Sequence, residues 1–305
     1  MRKGYLLVFL TALISGFAIF INGFGVKVID PYIFTFLKNL SVAVFLTGLL
    51  FILKDWRLLK KISKKQWILL VLVGLIGGSI PFLLFFKGLS LTTAVKGAFL
   101  HKIMFVYVAF LAFVFLKEKI DKKFLLGGLL LVLGNLFLLK KIPYSINQGD
   151  LLIFLAVLFW AGENIISKYV LKELPGRIVA CARMFFGAIF IFLFLLFTSQ
   201  ASLMSGISLS QISWVLLTGV ILFGYVMTWY SGLKYIPVSK AVVILLLGSP
   251  ITTLLSLIWT GQIIFQDILT GILIVFGVII ILGLNKICQT LKTLSFRLIY
   301  INVRS

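Results

Sequence analysis

Long apolar stretches, each separated from the next by a short basic run, fill this chain almost from end to end. A helix needs about 20 mostly apolar residues to cross roughly 30 Å of hydrocarbon. The pattern therefore predicts an all-α integral membrane protein with ten transmembrane helices. The predicted spans are 5–25, 31–53, 67–88, 92–116, 124–140, 150–171, 176–198, 211–233, 238–260 and 268–286.

The composition excludes a water-soluble domain. Apolar residues make up 62% of the chain and charged residues 12%, against about 25% charged in soluble domains. A net charge of +21 would suggest nucleic-acid binding in a soluble protein. Here the basic residues lie between apolar stretches, where they face anionic lipid, so membrane lipids and not nucleic acid are the expected partners.

The basic residues also predict the orientation. If the N-terminus is cytoplasmic and the number of spans is ten, the cytoplasmic segments carry 21 Lys and Arg residues. The opposite segments carry five: Lys27, Lys87, Lys96, Lys140 and Lys141. Because positive loops stay in the cytoplasm, both termini are expected there, in a multi-pass protein of the cell membrane.

The two halves of the chain resemble each other. With an offset of 145 residues, the string 6–10 (LLVFL) aligns with 151–155 (LLIFL), and Lys38 aligns with Arg183. Farther along the offset is 144, and it aligns Gly88 with Gly232. Since five spans is an odd number, the second copy must enter the membrane upside down, as in transporters with inverted repeats.

The repeat predicts the domain boundaries. The first five-helix repeat covers residues 1–140, and a linker covers 141–149. The second, inverted five-helix repeat covers 150–286, and a basic cytoplasmic tail covers 287–305.

Several strings resemble the drug/metabolite transporter superfamily, and more narrowly its EamA-type ten-helix metabolite exporters. They are Phe115-Leu116-Lys117-Glu118 followed by Gly127-Gly128, Trp160-Ala161 followed by Glu163-Asn164, and Gly232-Leu233-Lys234-Tyr235 leading to Pro250. The resemblance implies a fold of two five-helix halves and export of small metabolites. Two positions depart from repeat symmetry, because Val106 aligns with Pro250 and Gln262 with Glu118.

Glu163 is the strongest candidate for a functional charge. It lies about 20 Å inside the sixth span at 1.5 Å per residue, and ionisable groups at such depth are rare and functional by default. Trp160, Glu163, Asn164 and Ser167 share one helical face by their spacing. That face is expected to line a cavity, with Glu163 binding a substrate ammonium or carrying a proton. The alternative is a structural salt bridge with Arg183.

His101 and Lys102 lie within the fourth span. His101 is the only histidine of the chain, and its side chain can titrate near neutral pH. It is a candidate proton relay, while Lys102 would attract a carboxylate or phosphate. The alternative is that His101 binds a neighbouring helix and that Lys102 pairs with Glu163.

Lys38 and Arg183 occupy equivalent places in the second and seventh spans. We expect structural or gating charges here, with snorkelling toward a surface as the simpler alternative. Pro81 and Pro250 interrupt the third and ninth spans and are hinge candidates, since a freed backbone group is tolerated where it faces a cavity or another helix.

These features together favour a secondary transporter that exports small metabolites by alternating access. Amino acids or other carboxylates are the favoured substrates, and protons are the candidate coupling ion. No metal, cofactor or enzyme motif occurs in the sequence, so enzymatic activity is not expected. The alternatives are a lipid translocator, an accessory membrane subunit or, less favoured, a membrane-embedded lipid enzyme.

Overall fold

A computed structural model describes residues 2–25, 28–92, 100–137, 146–261 and 265–283. Some predictions lie outside these residues: those on Lys27, Lys96, Lys140, Lys141, Gln262 and the tail 287–305. In the described ranges every regular element is a helix. The helices are α1 Arg2–Gly25, α2 Pro31–Ile52, α3 Trp56–Leu59, α4 Lys64–Gly78, α5 Ile80–Leu91, α6 Met104–Leu116, α7 Lys122–Leu136, α8 Gln148–Val170, α9 Gly176–Phe197, a 3₁₀ turn Gln200–Met204, α10 Leu209–Leu233, α11 Val238–Leu245, α12 Gly248–Thr260 and α13 Phe265–Leu282.

Seven helical segments of the described residues are long and apolar enough to cross a membrane. Two of them contain an interruption: Lys64–Gly88 combines α4 with most of α5, and Val238–Trp259 combines α11 with most of α12. Two shorter apolar helices, Leu100–Leu116 and Ile268–Leu282, fall within the predicted fourth and tenth spans. The predicted fifth span, 124–140, overlaps α7, which has 15 residues and begins two residues earlier. The fold is thus all-helical with many apolar spans.

Five of the described helices, α2, α4, α7, α8 and α10, begin at an N-cap residue whose side chain accepts from the first turn. Ser63 and Gln66 form a capping box at the start of α4, and Ser208 and Gln211 form another at α10. Asp30 accepts from two backbone N–H groups of α2, whose first residue is Pro31. Such caps satisfy the amide groups that a first helical turn leaves unpaired. The polar runs between apolar stretches therefore set the helix boundaries.

Glycines allow close helix crossings, and two of these crossings are related by the repeat. Helix α1 packs on α10 and α5 packs on α8. A Cβ atom on Gly4 would lie 3.1 Å from the Gly232 carbonyl oxygen, and one on Gly149 would lie 2.6 Å from the Gly88 oxygen. The repeat offsets relate Gly4 to Gly149 and Gly88 to Gly232. Small residues at such crossings are typical of membrane helices.

Hydrogen bonds of two charged side chains connect α6, α8, α10 and α11 at one end of the molecule. The Glu118 carboxylate accepts from the Val238 and Ser239 amides, at 2.7 and 3.1 Å, and from the Ser239 hydroxyl at 2.5 Å. The Lys168 ammonium donates to the carbonyls of Leu233 and Ile236, at 2.6 and 2.7 Å. An anion thus caps a helix N-terminus and a cation a C-terminus, as the helix dipole favours.

We expect Glu118→Ala to destabilise the protein because the substitution leaves the first amides of α11 without their acceptor. Loss of charge-assisted hydrogen bonds of this kind costs about 1–3 kcal/mol. Thermal unfolding of the purified protein in detergent measures the change. Glu173→Ala is the control, because Glu173 is exposed and accepts from Gln66 alone among its described hydrogen bonds. Equal melting temperatures for both variants would contradict the capping role.

Candidate functional site

The third span is broken near its middle. Helix α4 ends at Gly78 and α5 begins at Ile80, with Ser79 in a non-helical conformation between them. Pro81 stands four residues after Gly77 and has no N–H group, so it cannot bind the Gly77 carbonyl as a helical residue would. The break therefore leaves backbone acceptors inside the protein.

Side chains from three other helices bind these acceptors. The Gly77 carbonyl accepts from the Trp160 indole N–H at 3.1 Å and from the Arg183 guanidinium at 3.0 Å. The Gly78 carbonyl accepts from the Asn39 amide at 3.0 Å. All three side chains are buried. Irregular backbone at membrane depth is tolerated when protein groups satisfy it in this way.

Glu163 lies against the same break. Its side chain is 2% exposed, and its carboxylate accepts from the Tyr230 hydroxyl at 2.7 Å and from the Ser167 hydroxyl. A Cβ atom on Gly77 would lie 2.3 Å from Glu163 Cγ and 3.2 Å from Arg183 Nε. The acid and the guanidinium therefore flank one glycine. The two side chains form no direct ion pair with each other. The ion pair found among the described residues is Arg177–Asp55, outside this cluster.

Aromatic rings line the other side of the cluster. The Trp160 ring contacts Phe82, Phe85 and His101, with ring centroids 5.4, 5.5 and 5.3 Å away. The Arg183 guanidinium lies over the rings of Phe82 and Tyr230 at 5.8 and 6.0 Å. Such cation–π contacts stabilise a buried positive charge.

Several polar atoms of this cluster have no hydrogen-bond partner among the residues that the structure describes. They are Asn164 Oδ1, Arg183 Nε and Asn39 Oδ1, all in side chains more than nine-tenths buried. Buried polar groups are nearly always satisfied by protein or by ordered water. The cluster therefore offers two acceptors and one donor to water or to a small solute.

The remaining predicted site residues lie around this cluster or outside it. His101 and Lys102 are half-buried beside the turn at Ile103, which interrupts the segment Leu100–Leu116. Lys38 is buried next to Asn39. Pro250 is near the start of α12 and follows the interruption at 246–247.

A cavity of about 450 Å³ lies elsewhere, between the loop 28–30 and the segment 203–211. Its lining includes Asp30, Ser205 and Gln211 and none of the predicted site residues.

Sequence reasoning did not identify Tyr230, Asn39 or Gly77 as members of the cluster. A signal existed for Gly77, because a proline four residues later always frees a helix carbonyl. For Tyr230 no local signal exists, since it lies 67 residues from Glu163 along the chain.

The model of the EamA-like transporter family matches the chain over residues 2–140 and again over residues 147–283. The chain belongs to the EamA-like transporter family. This EamA-like protein is a multi-pass membrane protein with the role of a membrane transporter, in a family of transporters and not of enzymes. The predicted resemblance is thereby confirmed.

Individual relatives of this EamA-like protein extend over most of its length. The uncharacterized transporter YyaM of Bacillus subtilis is 29% identical over 263 residues, covering 82% of this chain and 83% of YyaM. The riboflavin transporter ImpX of Fusobacterium nucleatum is 25% identical, covering 94% of this chain and 98% of ImpX. A solved crystal structure, 15% identical, covers 91% of this chain and 95% of its own with a TM-score of 0.73, and shows the shared fold.

Proposed function

We propose that this protein is a secondary transporter that exports small carboxylate-bearing metabolites, including amino acids, by alternating access. The observation that carries the proposal is the buried polar cluster at the break of the third span. The cluster contains the buried cation Arg183, and the buried cation Lys38 lies beside it. Glu163 is the one acid of the cluster. Since an uncompensated buried charge is costly, the excess of positive charge favours an anionic solute.

The proposed architecture is two inverted five-helix repeats with both termini in the cytoplasm. The two separate family matches support it. So do the related crossings Gly4–Gly232 and Gly149–Gly88. The fourth and ninth spans are also interrupted at positions that the repeat relates, Ile103 and Leu247. A substrate site between such repeats lies near the membrane midplane.

In the proposed mechanism Glu163 is the group that binds and releases the coupling proton. The Glu163 side chain and the Arg183 guanidinium flank Gly77, so the acid lies beside both the buried cation and the break in the third span. Pro81 and Pro250 are the proposed hinges, because helices bend at prolines. If the repeats rock against each other, the Gly77 carbonyl of the first repeat moves relative to Glu163 and Arg183, which both belong to the second repeat. The surroundings of the Glu163 carboxylate then differ between the two access states.

The topology is testable with single cysteines at Ser205 and at Lys64, both exposed, in a chain whose two native cysteines are replaced. A membrane-impermeant maleimide added to intact cells is expected to label position 205 and not position 64. Labelling after cell lysis is the control for reactivity. The reverse pattern in intact cells would overturn the proposed orientation.

The function is testable by an uptake screen on purified protein in liposomes, with protein-free liposomes as the control. Amino acids, hydroxy acids, nucleosides, sugars and amines are compared. Riboflavin is included because the relative ImpX is named a riboflavin transporter. We expect protein-dependent movement of carboxylates. Movement of amines or neutral sugars alone would contradict the proposed substrate class. Scrambling of labelled phospholipid without solute uptake would favour a lipid translocator.

A further inference from the structure

Buried polar side chains on α2 extend the cluster around Glu163 beyond Asn39. Thr35, Lys38 and Asn39 are 1%, 6% and 0% exposed. Residues three and four apart share a helical face, so these side chains lie together. The Asn39 amide binds the Gly78 carbonyl, which places this face against the break in the third span.

Lys38 lacks the partner that a buried ammonium normally has. Its Nζ lies 4.9 Å from the centre of the Phe34 ring, and it makes no hydrogen bond or ion pair with any described residue. A cation–π contact alone is a weak substitute for hydration or a counter-ion. Within the described part of the chain, the site therefore holds a positive charge and no anion that pairs with it.

The seven acidic side chains that the structure describes do not supply that anion, and the side chain of the eighth, Asp267, lies outside the described part. Asp55 pairs with Arg177, Glu118 caps α11 and Glu163 accepts from two hydroxyls. Asp30 and Asp121 accept from backbone amides at the starts of α2 and α7. Asp150 accepts from the Asn147 amide and from the Thr92 hydroxyl, and Glu173 accepts from the Gln66 side chain. Seven of the eight acidic side chains thus have described partners, and Lys38 is not among them.

Two neighbours of Lys38 have unused hydrogen-bonding capacity. The Thr35 hydroxyl has no partner, and neither has Asn39 Oδ1. Because the Asn39 amide nitrogen donates to a carbonyl, its oxygen must be the remaining acceptor. Lys38 and Thr35 can therefore donate to an anion, while Asn39 accepts from a donor beside that anion.

We propose that Thr35, Lys38 and Asn39 bind the carboxylate end of the substrate, with a hydroxyl or amino group on the adjacent carbon donating to Asn39. The proposal rests on the function proposed above and assigns its anion to Lys38 instead of Arg183. The ligand class is 2-hydroxy and 2-amino acids. The Arg183 guanidinium already donates to the Gly77 carbonyl and lies over two aromatic rings, and its Nε alone is a donor left over there. The Lys38 ammonium makes no hydrogen bond with any described residue.

Thermal unfolding of the detergent-purified protein tests this site without knowledge of the natural substrate. The probes are lactate, glycine, acetate and inorganic phosphate, each against chloride at equal ionic strength. We expect saturable stabilisation of the wild type by lactate and glycine, and weaker stabilisation by acetate, which lacks the donor. Lys38→Met should weaken apparent binding roughly 10- to 100-fold, the size expected for a charge-assisted hydrogen bond.

Stability without ligand and two further variants, Thr35→Val and Lys60→Met, separate a loss of binding from a loss of structure. Lys38→Met should be at least as stable as the wild type without ligand, because it removes an unpaired buried charge. Thr35→Val keeps the charge and the shape and should weaken lactate binding by a smaller factor. Lys60→Met is the matched control, since Lys60 is exposed on a loop, and it should bind as the wild type does.

Four outcomes would overturn the assignment. Wild-type lactate binding in both Lys38→Met and Thr35→Val would exclude this site. Loss of binding in Arg183→Met with retention in Lys38→Met would place the anion at Arg183, and the proposed function would stand. Stabilisation by phosphate alone would contradict the carboxylate class. If carboxylates neither stabilise the wild type nor move in the uptake screen, the proposed function fails as well.

Discussion

Gly77→Ala is expected to abolish most of the transport activity and to lower the stability of the protein. The added Cβ atom would lie 2.3 Å from Glu163 Cγ and 3.0 Å from Glu163 Cδ. Both distances are far below van der Waals contact, so either the third span or the Glu163 side chain must move. Movement of Glu163 would break its hydrogen bond with Tyr230. Overpacking of this kind typically costs about 1–3 kcal/mol.

A matched control lies one residue from Glu163. A Cβ atom on Gly162 would meet nothing within 4 Å, so Gly162→Ala adds the same methyl group to a helix without a clash. It should leave transport unchanged and stabilise the helix by up to about 1 kcal/mol. Thermal unfolding and liposome uptake are measured on both variants. If Gly77→Ala transports as well as Gly162→Ala, the tight approach of the third span to Glu163 is not required.

Glu163→Gln is expected to abolish accumulation of substrate driven by a pH gradient while preserving part of the substrate exchange. Glutamine keeps the shape and can still accept from Tyr230, but it cannot carry the proton. The charged and titratable groups that face Glu163 are Arg183 on α9 and Tyr225 and Tyr230 on α10. Glu163 is the one carboxylate in this group of side chains, and for this reason it is the proposed proton carrier.

The measurement compares net accumulation with counterflow in proteoliposomes. Without proton exchange the variant can only equilibrate its substrate, so the accumulation ratio should fall to one while counterflow continues. Glu173→Gln is the control, because Glu173 is an exposed acid and should accumulate substrate normally. Full accumulation by Glu163→Gln would show that Glu163 has a structural role, and His101 would become the next candidate.

The class of fold was predictable from the sequence, and so was the set of residues that form the buried polar face of the sixth span. Span length and loop charge depend on local composition alone. The spacing of Trp160, Glu163, Asn164 and Ser167 predicts a shared face, and all four side chains are buried in the structure. Pro81 marks the third span as interrupted, because a missing N–H group acts at a fixed distance along the helix.

The partners of these residues were not predictable, because they depend on how distant helices cross. Equal depth in the membrane made a Glu163–Arg183 salt bridge plausible, but Arg183 binds the Gly77 carbonyl and Glu163 binds Tyr230. The distances between helices decide which side chains meet, and they are shortest at glycines, where two helices approach more closely than a larger residue permits. Such crossings have no signature in the local sequence.

The most direct test of the central claim is accumulation of a carboxylate substrate by the wild-type protein in liposomes under an imposed pH gradient. The substrate is the one identified by the uptake screen, and a protonophore is added after the plateau. The account predicts accumulation above the outside concentration, followed by its collapse to equilibrium when the protonophore dissipates the gradient. Simple equilibration that is indifferent to both the pH gradient and the protonophore would contradict it.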